Sequence, residues 1–265
     1  MRARATLATA LAADGRTRVA TLHSQAPLTL RLTHPKGPEP WTGHDAGAAR
    51  VCVAASAAGP IGGDDYDLTV DVGAGSTLVL RDISATLLLP GPHGELSRLR
   101  TTVQVGAGAT LVWLPEPVIA AHGCRHRSDI RVELGTGARL ILSEQLLLGR
   151  HGEQPGSVVQ HLRVRLAGRP LLNQQLAVGP GAAGWDGSAV IGDRRAIGSL
   201  VVVDPGWTEH PPEPALLGDA AVLPLAGPAV LVSALAPDAL TLRRCLDTAL
   251  ARLAGTHGHR QPAAR

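Results

Sequence analysis

A short module occurs three times in the middle of the chain and constrains the fold more than any other feature. Asp67–Leu80 reads DLTVDVGAGSTLVL, Thr101–Leu114 reads TTVQVGAGATLVWL and Ser128–Leu142 reads SDIRVELGTGARLIL. Each copy is an alternating strand, a Gly-x-Gly turn and a second apolar strand. Period-2 apolarity means a half-buried strand, so faces can be assigned. Leu68, Val70 and Val72 share one side, as do Val103 and Val105, and Ile130, Val132 and Leu134. In the second arms the matching sets are Leu78 and Leu80, Leu111 and Trp113, and Leu140 and Leu142. The paired glycines (Gly73 and Gly75, Gly106 and Gly108, Gly135 and Gly137) suit a hairpin loop that needs positive φ. One such hairpin cannot bury its own apolar face, whereas stacked copies can share a core, as in a solenoid. The alternative is three unrelated hairpins of a sandwich with convergent turns.

Strand-like segments flank the repeats. They are Ala5–Ala12, Arg18–His23, Leu28–Thr33 and Arg50–Ala57 before, and Leu162–Leu166, Leu171–Val178, Ser188–Ile191 and Leu200–Val203 after. Asp14-Gly15 is a hairpin signal between the first two. Loops are expected at Pro35–Gly47 and Asp204–Pro214, and Asp219–Val232 reads as further β. Beyond Pro237 the pattern changes. Leu240, Leu242, Leu246, Leu250 and Leu253 recur at helical spacing and predict an amphipathic helix over Asp238–Ala254. The expected fold is therefore all-β: stacked hairpins or solenoid-like layered sheets in a single domain over residues 1–254, with one C-terminal helix. Residues 255–265, including His257 and His259, lack core-forming side chains and read as a disordered tail.

Composition narrows the function classes. The formal net charge is +3, and no arginine stripe interleaved with aromatics is visible, so nucleic acid is not indicated. Cys52, Cys124 and Cys245 are odd in number and widely spaced, which argues against a disulfide framework and export. Arg2 and Arg4 precede an Ala-rich stretch that could pass for a weak signal peptide, but its lead into Asp14-Gly15 favours a hairpin. No run is long enough for a transmembrane helix, and a cytoplasmic location is expected.

Phosphate-cradling loops, nucleophile elbows and HExxH motifs are absent from the sequence. One cluster has metal-ligand chemistry: in an extended strand His122, Cys124 and His126 would face one side, as a nickel, zinc or copper site or simply as a polar connection. A metal-dependent enzyme on a β scaffold is the function that cluster would support. Gly62-Gly63-Asp64-Asp65 leads into the first repeat, and Glu144, Arg150 and Glu153 follow the third. An Arg150–Glu153 pair would be a buried bridge or an interface clasp.

Taken in order, several of these segments resemble one family. SAAGPIGGDDYDLTVDVGAGSTLVL (Ser56–Leu80) is similar to the glycine-rich opening and following strand of UreD (UreH) urease accessory proteins. WLPEPVI (Trp113–Ile119) resembles that family's Trp-Leu-Pro segment, and SEQLLLGRHGE (Ser143–Glu153) its E…GR…GE block, in a tighter spacing. Arg81–Gly91 reads RDISATLLLPG, without the Lys and Tyr the family carries there, which marks a divergent branch. The resemblance implies a non-catalytic urease maturation factor. Such a protein docks on apo-urease with UreF and the GTPase UreG and helps deliver nickel through an internal passage, with nickel in transit and no tightly bound cofactor. On that reading Asp64, Glu144, Arg150 and Glu153 line the nickel route or contact a partner.

Overall fold

In the computed structural model, residues 1–34, 39 and 47–255 are described. The expected 35–47 loop, apart from residues 39 and 47, and the 256–265 part of the expected tail, with His257 and His259, lie outside the described residues. The chain opens with the antiparallel hairpin β1 (Arg2–Leu11) and β2 (Thr17–His23). Then come β3 (Leu28–Leu32) and β4 (Ala49–Ala55), and the first repeat is β5 (Asp65–Val72) and β6 (Thr77–Asp82). After the short β7 (Thr86–Leu88), the second repeat is β8 (Ser97–Val105) and β9 (Thr110–Leu114); after β10 (Val118–Ala120), the third is β11 (Arg125–Leu134) and β12 (Arg139–Leu147). Then follow β13 (Ser157–Leu166), β14 (Arg169–Val178), β15 (Ala196–Val203), β16 (Ala215–Leu217), β17 (Ala220–Pro224), β18 (Ala229–Ala236) and the helix α1 (Ala239–Gly255).

These strands form two sheets. One, of seven strands, has the order β14-β13-β11-β8-β5-β1-β2; the other, of eleven, runs β16-β17-β18-β15-β12-β9-β6-β4-β3, with β10, which pairs with β12 and β7, and β7 off this path. The repeats stack as expected, but their arms are not hairpins. Each first arm lies in the seven-stranded sheet and each second arm in the eleven-stranded sheet, and every arm pairs in parallel with its counterpart in the next copy. The Gly-x-Gly link is thus an arch between sheets. Its two glycines answer different demands. The second of each pair takes positive φ, at 68° in Gly75, 63° in Gly108 and 70° in Gly137. The first lies where stacked arches touch: a Cβ on Gly106 would sit 2.6 Å from the Ala74 nitrogen, and one on Gly135 would sit 2.7 Å from that of Ala107.

Every side chain assigned to the inner face of the repeats is buried in one cluster between the sheets, from Leu68 and Val70 through Leu111 and Trp113 to Leu140 and Leu142. The opposite face of the eleven-stranded sheet carries Val79, Val112, Ile141, Leu200 and Val232 and is covered by the helix. Asp238 caps α1 through the Thr241 N–H at 2.8 Å. Leu242, Leu246, Leu250 and Leu253 are buried beneath it, whereas Leu240 is 58 % exposed and does not belong to the stripe. Gly198 of β15 lets the helix approach, since a Cβ there would lie 2.8 Å from Leu242 Cδ1. The expected strand at 188–191 is a series of turns. Pro205–Trp207 is a short 3-10 turn that buries Trp207 inside the 204–214 loop. No helix among the described residues is long and apolar enough to cross a membrane.

Candidate functional site: a polar layer between two apolar clusters

Strand periodicity carries the inner face of β12 past Leu140 and Leu142 to Glu144, then to Leu146 and Leu148. The first two leucines belong to the main core and the last two to a second buried cluster. Glu144 stands between them. The same interruption recurs on neighbouring strands. Gln160 separates Val158 from Leu162 on β13, and Gln174 separates Leu172 from Leu176 on β14. Register then aligns the polar groups. Glu144 pairs with Ser199 of β15, and Ser199 with Ser233 of β18. In the facing sheet Tyr66, Leu99, Ser128 and Gln160 lie on one rung. Asp82 ends β6 on the inner register of Leu78 and Leu80, level with Glu144 once the register of β6, β9 and β12 is extended by two residues.

Two clefts open in this layer. One, of about 150 Å³, is lined by Glu144, Gln160, Gln174, Ser199 and Ser233 among apolar neighbours, and Glu144 is its only ionisable lining residue. The other, of about 130 Å³, is lined by Tyr66, Asp82, Thr101 and Trp113. Both carboxyls are held in the protonated direction. Burial raises Glu144 to about 7, and it has no hydrogen-bond or ion-pair partner among the described residues. Asp82 is raised to about 7 by burial and then by the nearby Glu116 carboxylate. A carboxyl in an apolar-walled layer without a counter-ion is poised to accept a proton or a cation. Sequence reading singled out Glu144 but missed Asp82, Gln160 and Gln174. The signal was available: each sits at an inward position of a strand whose neighbours on that face are apolar.

Asp64 is a different kind of carboxylate. Burial alone would raise it, but the N-terminal ammonium at 2.6 Å, the Tyr66 hydroxyl at 2.5 Å and the Ile61 N–H at 2.8 Å donate to it and keep it below the usual range. With three donors already on it, its effect is to fix Tyr66 at the wall of the second cleft. Arg150 and Glu153 do pair, through two guanidinium–carboxylate contacts at 2.7 and 2.9 Å. The guanidinium is exposed, so this is a surface clasp and not a buried bridge. The hydrogen bonds from Arg150 hold Glu153 down to about 2, and the His122 backbone N–H adds to the effect.

The structure does not bring His122, Cys124 and His126 together as ligands. The segment is not extended: residues 122 and 123 form a turn with Gly123 at φ 74°, and β11 begins only at Arg125. His122 is exposed, while Cys124 is buried in the second apolar cluster with its thiol pushed up to about 11 by burial and then by the Glu153 charge. His126 is buried against Ser97, Nδ1 to Oγ 2.9 Å, and burial lowers it to about 4. Among the described residues no group of three His, Cys, Asp or Glu side chains is placed to hold a metal ion.

These features define a stacked-coil β scaffold whose interior holds neutral-pH carboxyls. Comparison with known proteins identifies it further: the chain belongs to the UreD urease accessory protein family, whose model matches residues 1–265. It is 44% identical over 254 residues to a urease accessory protein UreD of Streptomyces avermitilis, covering 94% of this chain and 97% of that one. A urease accessory protein UreD 3 of Streptomyces griseus is 44% identical over 262 residues, with 97% and 99% covered. A UreD of Frankia alni is 42% identical over 279 residues, covering 95% of this chain and 92% of the relative. Membership gives the chain a role in urease maturation.

Proposed function

We propose that this chain is a non-catalytic scaffold of urease maturation in the cytoplasm. It docks on apo-urease together with UreF and the GTPase UreG and passes nickel through its polar layer. The observation that carries this reading is Glu144, an inward carboxyl without a partner among the described residues, flanked by amide and hydroxyl oxygens between two apolar clusters. Such oxygens are weak, exchangeable ligands. They suit an ion in transit, because thiolates and convergent imidazoles would trap it. The two clefts are then segments of one route running along the layer from Asp82 to Glu144. Asp64 acts by holding Tyr66 at the wall, and the Arg150–Glu153 clasp contacts a partner. GTP hydrolysis is left to UreG, in keeping with the absence of a phosphate-binding loop from this sequence.

The test is co-expression with the urease subunits and the other accessory proteins at limiting nickel. Urease activity is expected to depend on this chain, and to fall in Glu144→Gln and Asp82→Asn while the complexes still form. Full urease activity without the chain would refute the maturation role. Full activity in the double variant would refute the route.

A further inference from the structure

The eleven-stranded sheet is covered by the helix, but the outward face of the seven-stranded sheet is covered by no described element. Its five central strands, β1, β5, β8, β11 and β13, are mutually parallel. A stacked coil buries its inner face against the facing sheet and leaves its outer face open for contacts. Here the bare face is charged, and register sorts the charges into rows across the strands. One row is balanced: Arg4, Asp67, Arg100, Asp129 and His161 are consecutive partners. Its ion pairs are good ones. Arg100 of β8 donates to Asp67 of β5 at 2.8 Å across the strands, and Asp129 also takes Arg127 of the adjacent row, on its own strand, at 2.7 Å. This row neutralises itself and helps to hold the strands in register.

The rows on either side are not balanced. Arg98 is registered between Asp65, which is taken by Arg100 at 2.8 Å, and Arg127, and Arg131 is registered directly against Arg163. Arg98 and Arg131 are exposed and make no ion pair among the described residues, and neither do Arg2 and Arg125 at the same end of the sheet. Like charges directly opposite on neighbouring strands destabilise a sheet. A face selected only for solubility would not keep two such pairs beside a row that shows how to avoid them.

We propose that this face is a docking surface for a protein that presents carboxylates. Guanidinium groups at strand spacing match carboxylates bidentately, and an acidic partner relieves both repulsions at once. The interspersed Asp65, Asp67, Asp71 and Asp129 would repel a uniform polyanion, and no Phe, Tyr or Trp of these five strands points outward to stack on a base. A mixed-sign protein surface fits that pattern and a nucleic-acid backbone does not. The assignment rests on the scaffold reading above only for the choice of probe.

The test uses the full chain, purified apo-urease and purified UreF, and measures association rates at about 50 and about 500 mM salt, where the Debye length is roughly 14 and 4 Å respectively. The double variant R98E/R131E is compared with wild type and with R244E/R252E, the same charge change on the helix at the opposite face. Wild type is expected to bind at least one probe with a rate that falls steeply with salt. R98E/R131E should lose about ten-fold or more in that rate at low salt, and R244E/R252E should lose far less. R98E/R131E itself should keep the wild-type circular dichroism and thermal midpoint, because it places carboxylates opposite Arg127 and Arg163; lost binding then cannot come from misfolding. Equal rates for wild type and R98E/R131E would overturn the surface assignment and leave the scaffold reading standing. No binding of wild type to either probe would overturn both. Tighter binding to a short DNA duplex than to either protein would overturn the choice of an acidic protein.

Discussion

Replacing Glu144 by Gln tests the polar layer without touching any partner. The carboxyl titrates near 7 in the folded chain against an ordinary 4.5, because burial disfavours its charge. The sign follows from the raised value. Stabilisation by the neutral carboxyl is fully present below the unfolded pKa and is lost as pH rises through the folded one. Two and a half units correspond to at most about 3 kcal/mol, spread between pH 4.5 and 8. Glutamine is isosteric with the protonated acid and does not titrate. The variant should therefore match wild type near pH 5 and exceed it progressively, by up to about 3 kcal/mol at pH 8. Urea unfolding of both proteins at several pH values gives that difference directly, with all other titrations cancelling. A divalent cation supplies the missing counter-charge, so added nickel should raise wild-type stability at pH 8 and leave the variant unchanged. A difference between the two proteins that stays constant from pH 5 to 8 would refute a low-dielectric site for this carboxyl.

Other consequences are as direct. The His126 imidazole should stay neutral on acidification until about pH 4, read from its ring-proton shifts, and the stability it contributes should be fully present above pH 6.5 and lost as pH falls from 6.5 through about 4. Leu242→Ala removes a fully buried side chain from beneath the helix and should destabilise the chain by about 2–5 kcal/mol in urea, with loss of helical circular dichroism. Gly106→Ala should cost more than Gly108→Ala. The first forces apart two stacked arches at backbone contact, whereas the second meets open space and costs only the left-handed conformation, about 1–2 kcal/mol.

Much of this architecture could be read from residue alternation. The inner faces of all three repeats, the first hairpin and the closing helix follow from spacing alone. The partnering of the arms does not. A Gly-x-Gly link lets the chain return along its own strand or cross to a facing one, and the choice is made by contacts with the next copy, such as Gly106 against Ala74. The proposed His122–Cys124–His126 alignment failed for a local reason. It assumed an extended backbone where Gly123 takes a left-handed one. Glu144 was visible in the sequence as a motif residue, but its meaning was not. A carboxylate two residues beyond Leu142 becomes informative only when Gln160, Gln174 and Ser199 are known to share its layer. Asp64 had the opposite fate: prominent in its glycine-rich motif, it is already satisfied by three donors.

Parallel stacking has no inherent stopping point, since each coil offers the next the same row of backbone groups. In this chain the parallel run ends in antiparallel strands on every side: β2 and β14 in one sheet, β3 and β15 in the other. These reversals act as terminators. They end the parallel register within the chain, and they set the length of the body at a fixed number of coils. Whatever binds at its two ends is therefore held at a constant separation, as by a gauge block.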